Sequence, residues 1–205
     1  MADRRITTLV ETLAEAGMTC AFGLPGTQNT DLFEGLRRSP IRTVVPCHEL
    51  AAAMMATGYF RASGRLALLA TIPGPGFTYA LTGVAEAFLD SAALVQVTRS
   101  PARGPGRVYQ LQAIDQAAMA RPVVKDVLEI GPADDGRACA RAAVAAATSG
   151  EPGPVLVQLA KSADSADSAV KSGSAAARTP ATATGVDRLA DWLAERTRIL
   201  VLAGQ

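Results

Sequence analysis

VVPCHELAAAMMATGYFRASG, residues 44–64, is the stretch whose reading decides the fold. It begins as a β-branched, apolar strand at Val44 and Val45, breaks at Pro46, and passes directly into an alanine-rich run with helical spacing. A carboxylate, Glu49, stands at the joint beside His48, the sequence's single histidine. Strand, tight turn and helix in that order describe half of a parallel βαβ unit, and the joint lies at the carboxyl end of its strand.

Reading outward, the same alternation repeats. An amphipathic helix ends near Gly17 and is followed by the strand TCAF, the turn GLPGTQNTD, and a helix through Leu32, Phe33 and Leu36. Strand IRTVVP and the helix ELAAAMMATGYFRA come next, then strand LALLATI, turn PGPG, helix YALTGVAEAFLD and strand ALVQVT. After the loop-like RSPARGPGRVYQLQ, a short helix around IDQAAMA, the strand VVKDVLEI, the helix DGRACARAAVAAAT and the strand VLVQLA complete the pattern. Strands apolar on both faces and separated by helices predict an α/β fold with a parallel sheet covered by helices on both sides.

Composition narrows the function classes. Of 205 residues, 49% are hydrophobic and 19% charged, enough apolar material for a core. With 20 basic against 19 acidic side chains the net charge is +1, so neither nucleic acid nor an anionic membrane is implied as a partner. Three cysteines, Cys20, Cys47 and Cys139, lack C-x-x-C spacing and are read as buried free thiols rather than a zinc site or a disulfide framework. The charged, helix-periodic N-terminus has no signal-peptide core, and no run reaches the roughly 20 apolar residues of a membrane span, which predicts a cytoplasmic protein.

Residues 163–184, rich in Ser, Ala and Thr, read as a flexible linker because they offer almost no large apolar side chain. Beyond them, 185–205 reads as one helix and one buried strand, too little to bury a core alone. The expectation is therefore a main domain over 1–162, a linker, and the incomplete start of a second α/β domain.

In open α/β sheets ligands bind beyond the carboxyl ends of the strands. Three features fall there: Pro25-Gly26, His48-Glu49 and Gly74-Pro75-Gly76. Each has an ordinary structural explanation, since glycine turns are common and a carboxylate in a first helical turn is favoured by the macrodipole. Their coincidence makes them candidate site residues. Neither glycine turn satisfies G-x-G-x-x-G, there is no G-x-x-x-x-G-K-[ST], and no G-x-S-x-G elbow accompanies His48, so dinucleotide-binding, P-loop and serine-hydrolase readings fall away. At a helix start, His48 is expected to pack or hydrogen-bond.

These residues resemble the pyrimidine-binding domain of thiamine-diphosphate enzymes, in the branch of acetolactate synthase, pyruvate oxidase and the 2-oxoacid decarboxylases. That family's F-G-x-P-G stands here as FGLPG from Phe22 to Gly26, and its H-E-x-x-A-x-x-x-A-x-G-Y-x-R-x-x-G as HELAAAMMATGYFRASG. G-P-G follows at Gly74 to Gly76, G-x-A-x-A-x-x-D-S from Gly83 to Ser91, and Q-x-x-D…R-P-V-x-K at Gln112, Asp115, Arg121, Pro122, Val123 and Lys125. GPVLVQLAKS resembles the strand closing that domain, and RILVLAGQ the first strand of the next. The likeness runs over roughly residues 3 to 162.

The resemblance implies thiamine diphosphate as cofactor. It makes Glu49 the group that shares a proton with the aminopyrimidine ring and so promotes removal of the proton on the thiazolium carbon, work helped by partial burial of the carboxyl. It implies that Pro25, Gly26, Ile72, Gly74, Pro75 and Tyr79 line the cofactor and that Gln112 faces a 2-oxoacid substrate. It also implies a Mg2+ ion held by a diphosphate-binding domain with a G-D-G…N motif, which this sequence does not contain. That domain would come from a homodimer mate or a partner subunit, and this chain alone would be inactive. The pattern is departed from in several places. Ile72 and Pro73 stand for Thr-Ser before G-P-G, Tyr79 for an asparagine, Leu111 and Ala113 for the outer residues of F-Q-E, and Ala93 and Arg99 for a proline and a glycine. These changes bear on acetolactate synthesis in particular. A non-catalytic interaction protein with a degenerate cofactor site is the rival expectation.

Overall fold

Strands buried on both faces need helices on both sides, and this chain supplies them. The structure, a computed structural model, describes residues 3–100, 111–160 and 183–194. In chain order they form α1 (Arg4–Glu15), β1 (Cys20–Gly23), α2 (Thr30–Arg37), β2 (Arg42–Val44), α3 (Glu49–Ser63), β3 (Ala67–Ala70), α4 (Pro75–Leu89), β4 (Leu94–Arg99), α5 (Gln116–Ala120), β5 (Asp126–Ile130), α6 (Gly136–Thr148), β6 (Pro154–Leu159) and α7 (Ala183–Ala194). A single 3-10 turn, Arg121–Val123, joins α5 to β5.

The six strands form one sheet in the order β2-β1-β3-β4-β6-β5, and every neighbouring pair is parallel. Alternate residues along each strand face opposite cores. Leu68, Ala70, Val95, Val97, Val155 and Val157 pack with α1, α2 and α6, whereas Ala67, Leu69, Leu94 and Leu156 pack with α3, α4 and α5. The parallel α/β architecture expected from the sequence is the one found.

Element boundaries differ in two informative places. Helix α4 begins at Pro75, four residues before the expected start at Tyr79. Pro75 occupies the first helical position, where its missing N–H costs nothing and its fixed φ suits the helix. Strand β3 ends at Ala70, before the expected Ile72, because the chain must turn there into the Gly74 cap.

By contacts the chain divides into two compact units, Met1–Gly173 and Ser174–Gln205. In the second, α7 begins at Ala183, inside the expected linker, and exposes Asp187, Arg188 and Asp191. The linker residues up to 182 and the expected final strand lie outside the described residues. Among the described residues, no helix is long and apolar enough to cross a membrane.

Strand order places a crevice at one point. From β1 the chain leaves through α2 to the edge strand β2; from β3 it leaves through α4 towards β4 on the opposite side. The loops after β1 and β3 therefore diverge, and the space between them is the position at which doubly wound sheets receive ligands.

Candidate functional site

Two close approaches build the crevice. Gly23 ends β1 against β3, where a Cβ would lie 2.1 Å from the Ala70 carbonyl oxygen, so no larger residue fits. One turn later, a Cβ on Gly26 would lie 2.6 Å from Ile72 Cγ2. The Pro25-Gly26 turn is held from below by Asn29, the N-cap of α2, which is 1% exposed. Its Oδ1 accepts the Gly26 N–H at 2.7 Å and its Nδ2 donates to the Leu24 carbonyl at 3.0 Å.

Glu49 is the first residue of α3, reached from the end of β2. His48 is the N-cap, and its Nδ1 accepts the Leu50 N–H at 3.1 Å, which leaves the ring proton on Nε2. The imidazole lies against the Tyr79 ring, with centroids 4.9 Å apart. Glu49 itself is half-buried, and its carboxylate has no hydrogen-bond or ion-pair partner among the described residues. A Cβ on Gly76 would come 3.2 Å from Glu49 Oε1 and 2.5 Å from Ile72 Cγ1. The carboxylate thus rests against the bare α-carbon of Gly76, with Ile72 wedged between Gly26 and Gly76.

The structure brings Gly26, Glu49, Ile72 and Gly76 into one cluster. Gly74 and Pro75 form the turn that leads Gly76 into it, and Gln112 covers Gly74: a Cβ on Gly74 would lie 2.7 Å from that of Gln112. Tyr79 sits on the second turn of α4, 54% exposed, on the His48 ring. Pro25 lines an open depression with Phe33, Leu36, Arg37 and Ile41. Leu111 is exposed and Ala113 half-buried.

Sequence reading passed over Asn29 and Gln116. Asn29 carried a signal, an Asn directly before a helical run and three residues after Gly26. Gln116 carried none, because its partners, Gly74 and Arg99, are remote in sequence. The expectation that all three thiols are buried is corrected at one of them: Cys20 is buried, Cys139 half-buried and Cys47 exposed, two residues from Glu49. Burial pushes the Cys20 thiol up, and burial reinforced by Asp134 and Asp126 pushes Cys139 up to about 12.

Arg99, which ends β4 on the opposite face, is also accounted for. It pairs with Asp31 in the first turn of α2 and, at 3.6 Å, with Asp3, the N-cap of α1. Arg5 joins the group through Asp3 and donates to the carbonyls of Ala160 and Ile130 at 2.8 and 3.3 Å. These charges tie two helix starts to the carboxyl ends of three strands, and burial holds the Arg99 guanidinium below its usual pKa.

The open Glu49 carboxylate can accept a hydrogen bond from the protonated ring nitrogen of a heterocycle. It stands at the sheet's switch point beside Gly76, with Ile72 filling the space next to Gly26 and Gly76. A description of known families agrees: the model for "Thiamine pyrophosphate enzyme, N-terminal TPP binding domain" matches residues 6–119, more than half of the chain. The Escherichia coli acetolactate synthase isozyme 3 large subunit is 35% identical over 154 residues, covering 75% of this chain and 27% of that protein. A chloroplastic acetolactate synthase 3 of Brassica napus is 35% identical over the same length, with 24% of its own chain covered. A probable 2-ketoarginine decarboxylase of Pseudomonas aeruginosa is 35% identical over 157 residues, 74% of this chain and 28% of that protein. The chain spans about a quarter of the length of these curated relatives. Its parallel sheet, its open glutamate and this match together make the chain a member of the thiamine pyrophosphate enzymes, carrying their N-terminal TPP-binding domain.

Proposed function

We propose that this chain is the pyrimidine-binding part of a thiamine-diphosphate-dependent decarboxylase or carboligase acting on 2-oxoacids. The observation that carries the reading is the half-buried Glu49 carboxylate, without a partner among the described residues and so near Gly76 that a Cβ there would lie 3.2 Å from its Oε1. When bound, the cofactor supplies an acidic thiazolium carbon able to attack a carbonyl and hold the electrons released on decarboxylation. The protein's part is to bind and orient. Glu49 accepts and returns a proton at the pyrimidine ring nitrogen, and Ile72, packed against Gly26 and Gly76, supplies an apolar surface beside it. Gln112, which lies over Gly74, is the side chain we assign to the substrate.

The diphosphate and its Mg2+ ion belong to a diphosphate-binding domain, supplied in cis or by a second protomer. A partner is supported by helices α3 and α4, which leave Met54, Met55, Tyr79, Phe88 and Leu89 exposed. A degenerate, non-catalytic site is the second reading. It is favoured by Ile72, whose side chain already fills the space between the two glycines.

Calorimetry separates the two. Thiamine diphosphate with Mg2+ is titrated into this chain alone and into the chain joined by a diphosphate-binding domain. Binding only in the second case is expected, and deuterium exchange at the thiazolium carbon should slow by about 10²–10⁴-fold in Glu49→Gln. No binding in either case selects the non-catalytic reading.

A further inference from the structure

Gln116 is a long polar side chain in a short run of alanines, and it is 1% exposed. Burying an amide is unfavourable unless both of its ends are matched. Here both are. Gln116 Oε1 accepts the Gly74 N–H at 2.9 Å, and Nε2 donates to the Arg99 carbonyl at 3.0 Å.

Both partners are backbone groups that regular structure leaves open. Gly74 is the N-cap of α4, outside the helix ladder and without a side-chain cap of its own. Val97 accepts from the Thr71 N–H on the β3 side of β4, so the Arg99 carbonyl two residues on points the same way, past the end of β3 at Ala70. Gln116 stands where the next donor of β3 would have been.

The turn so held is one that does not hold itself. Gly74 has φ 69° and ψ −116°, a region open only to glycine, and Gln112, facing it, has φ 62°. Two residues beyond Gly74, the α-carbon of Gly76 forms the wall against Glu49 Oε1. A rotation of the turn would move that wall directly.

We infer that Gln116 is a positioning residue for the Glu49 site, fixing the Gly74-Pro75-Gly76 turn against which the carboxylate rests. The inference rests on the proposed function, and it adds to it a residue that touches neither cofactor nor substrate.

The test uses this chain together with a diphosphate-binding domain, with Gln116→Met, which keeps the volume and removes both hydrogen bonds, and Gln116→Glu, which as a neutral acid keeps an acceptor for Gly74 and a donor for the Arg99 carbonyl. Hydrogen exchange of the Gly74 amide, thermal melting, thiamine diphosphate affinity and deuterium exchange at the thiazolium carbon under saturating cofactor are measured on each. Gln116→Met is expected to exchange the Gly74 amide at least about tenfold faster and to slow thiazolium exchange about ten- to a hundredfold, with affinity changed far less. Gln116→Glu should keep Gly74 protected and stay within a few fold of the wild-type rate. A wild-type thiazolium rate in Gln116→Met, while Glu49→Gln is slow, overturns this inference alone; wild-type rates in both variants overturn the proposed function and this inference together. Should Gln116→Met fail to melt cooperatively, Gln116→Glu decides: a protected Gly74 with a near-wild-type rate supports the inference, and a protected Gly74 with a slowed rate overturns it.

Discussion

Replacing Gly83 by alanine sets helix propensity against packing, and the structure says which wins. Gly83 lies inside α4, so on propensity alone alanine would stabilise the helix by about 1 kcal/mol. A Cβ there would meet Ala53 Cβ of α3 at 2.5 Å and the backbone at Ala53 C and Met54 N at 3.3 Å. None of these atoms can swing away. Since carbons in contact sit about 3.5–4.0 Å apart, the two helices must separate by about 1 Å. Overpacking of this kind costs about 1–3 kcal/mol, so the net expectation is a loss of about 1 kcal/mol. Ala53→Gly alone loses propensity and a buried methyl, together about 2 kcal/mol. The double variant, with the methyl moved from one helix to the other, should return to within about 1 kcal/mol of wild type, a coupling of about 2–3 kcal/mol. Urea unfolding midpoints for the four proteins measure this cycle. Additive effects, or a Gly83→Ala variant more stable than wild type by the full propensity gain, would refute the close crossing. The crossing matters to the site because α3 carries Glu49 and α4 carries Gly76, and a shift of about 1 Å in catalytic geometry can cost about 10²-fold in rate.

Further expectations concern charge and reactivity. The Asp3 carboxyl is held below its usual 3.8, chiefly by the hydrogen bond from Arg5. A lowered folded pKa contributes stability in full above the unfolded value and loses it as pH falls through the folded one. Asp3→Asn should therefore unfold at lower urea than wild type at pH 7, with the gap closing in acid; a gap that does not change with pH would count against the Asp3-Arg5 contact. Of the three thiols, Cys47 is exposed while Cys20 is buried and Cys139 is pushed up to about 12, so a thiol reagent should modify one cysteine quickly and two slowly in the native protein. Three equal rates, read by mass spectrometry, would contradict the burial of β1 and α6.

Much of the fold was legible in the residues themselves. Alternating apolar strands and alanine-rich helices place most of the described elements correctly, because burial on both faces leaves a periodicity that local sequence cannot hide. The boundaries at β3 and α4 escaped, since Pro75 reads equally well as turn or first helical residue until the Gly74 cap is seen. In the site, Glu49 stood out by its place at a strand-helix joint, and Asn29 was open to the same kind of reading.

What the sequence determined by itself is the order of elements, the parallel sheet they imply, and the residues gathered at the strands' carboxyl ends. What only the tertiary structure decided is which of those residues meet. Strand order put β1 beside β3, and so brought the turn at Gly26 against Ile72 and the Gly76 turn that follows it, far along the chain. Gln116 shows the reason most plainly: its hydrogen bonds satisfy backbone groups 42 and 17 residues away, and no local pattern records an unpaired N–H or carbonyl that exists only once the sheet has formed.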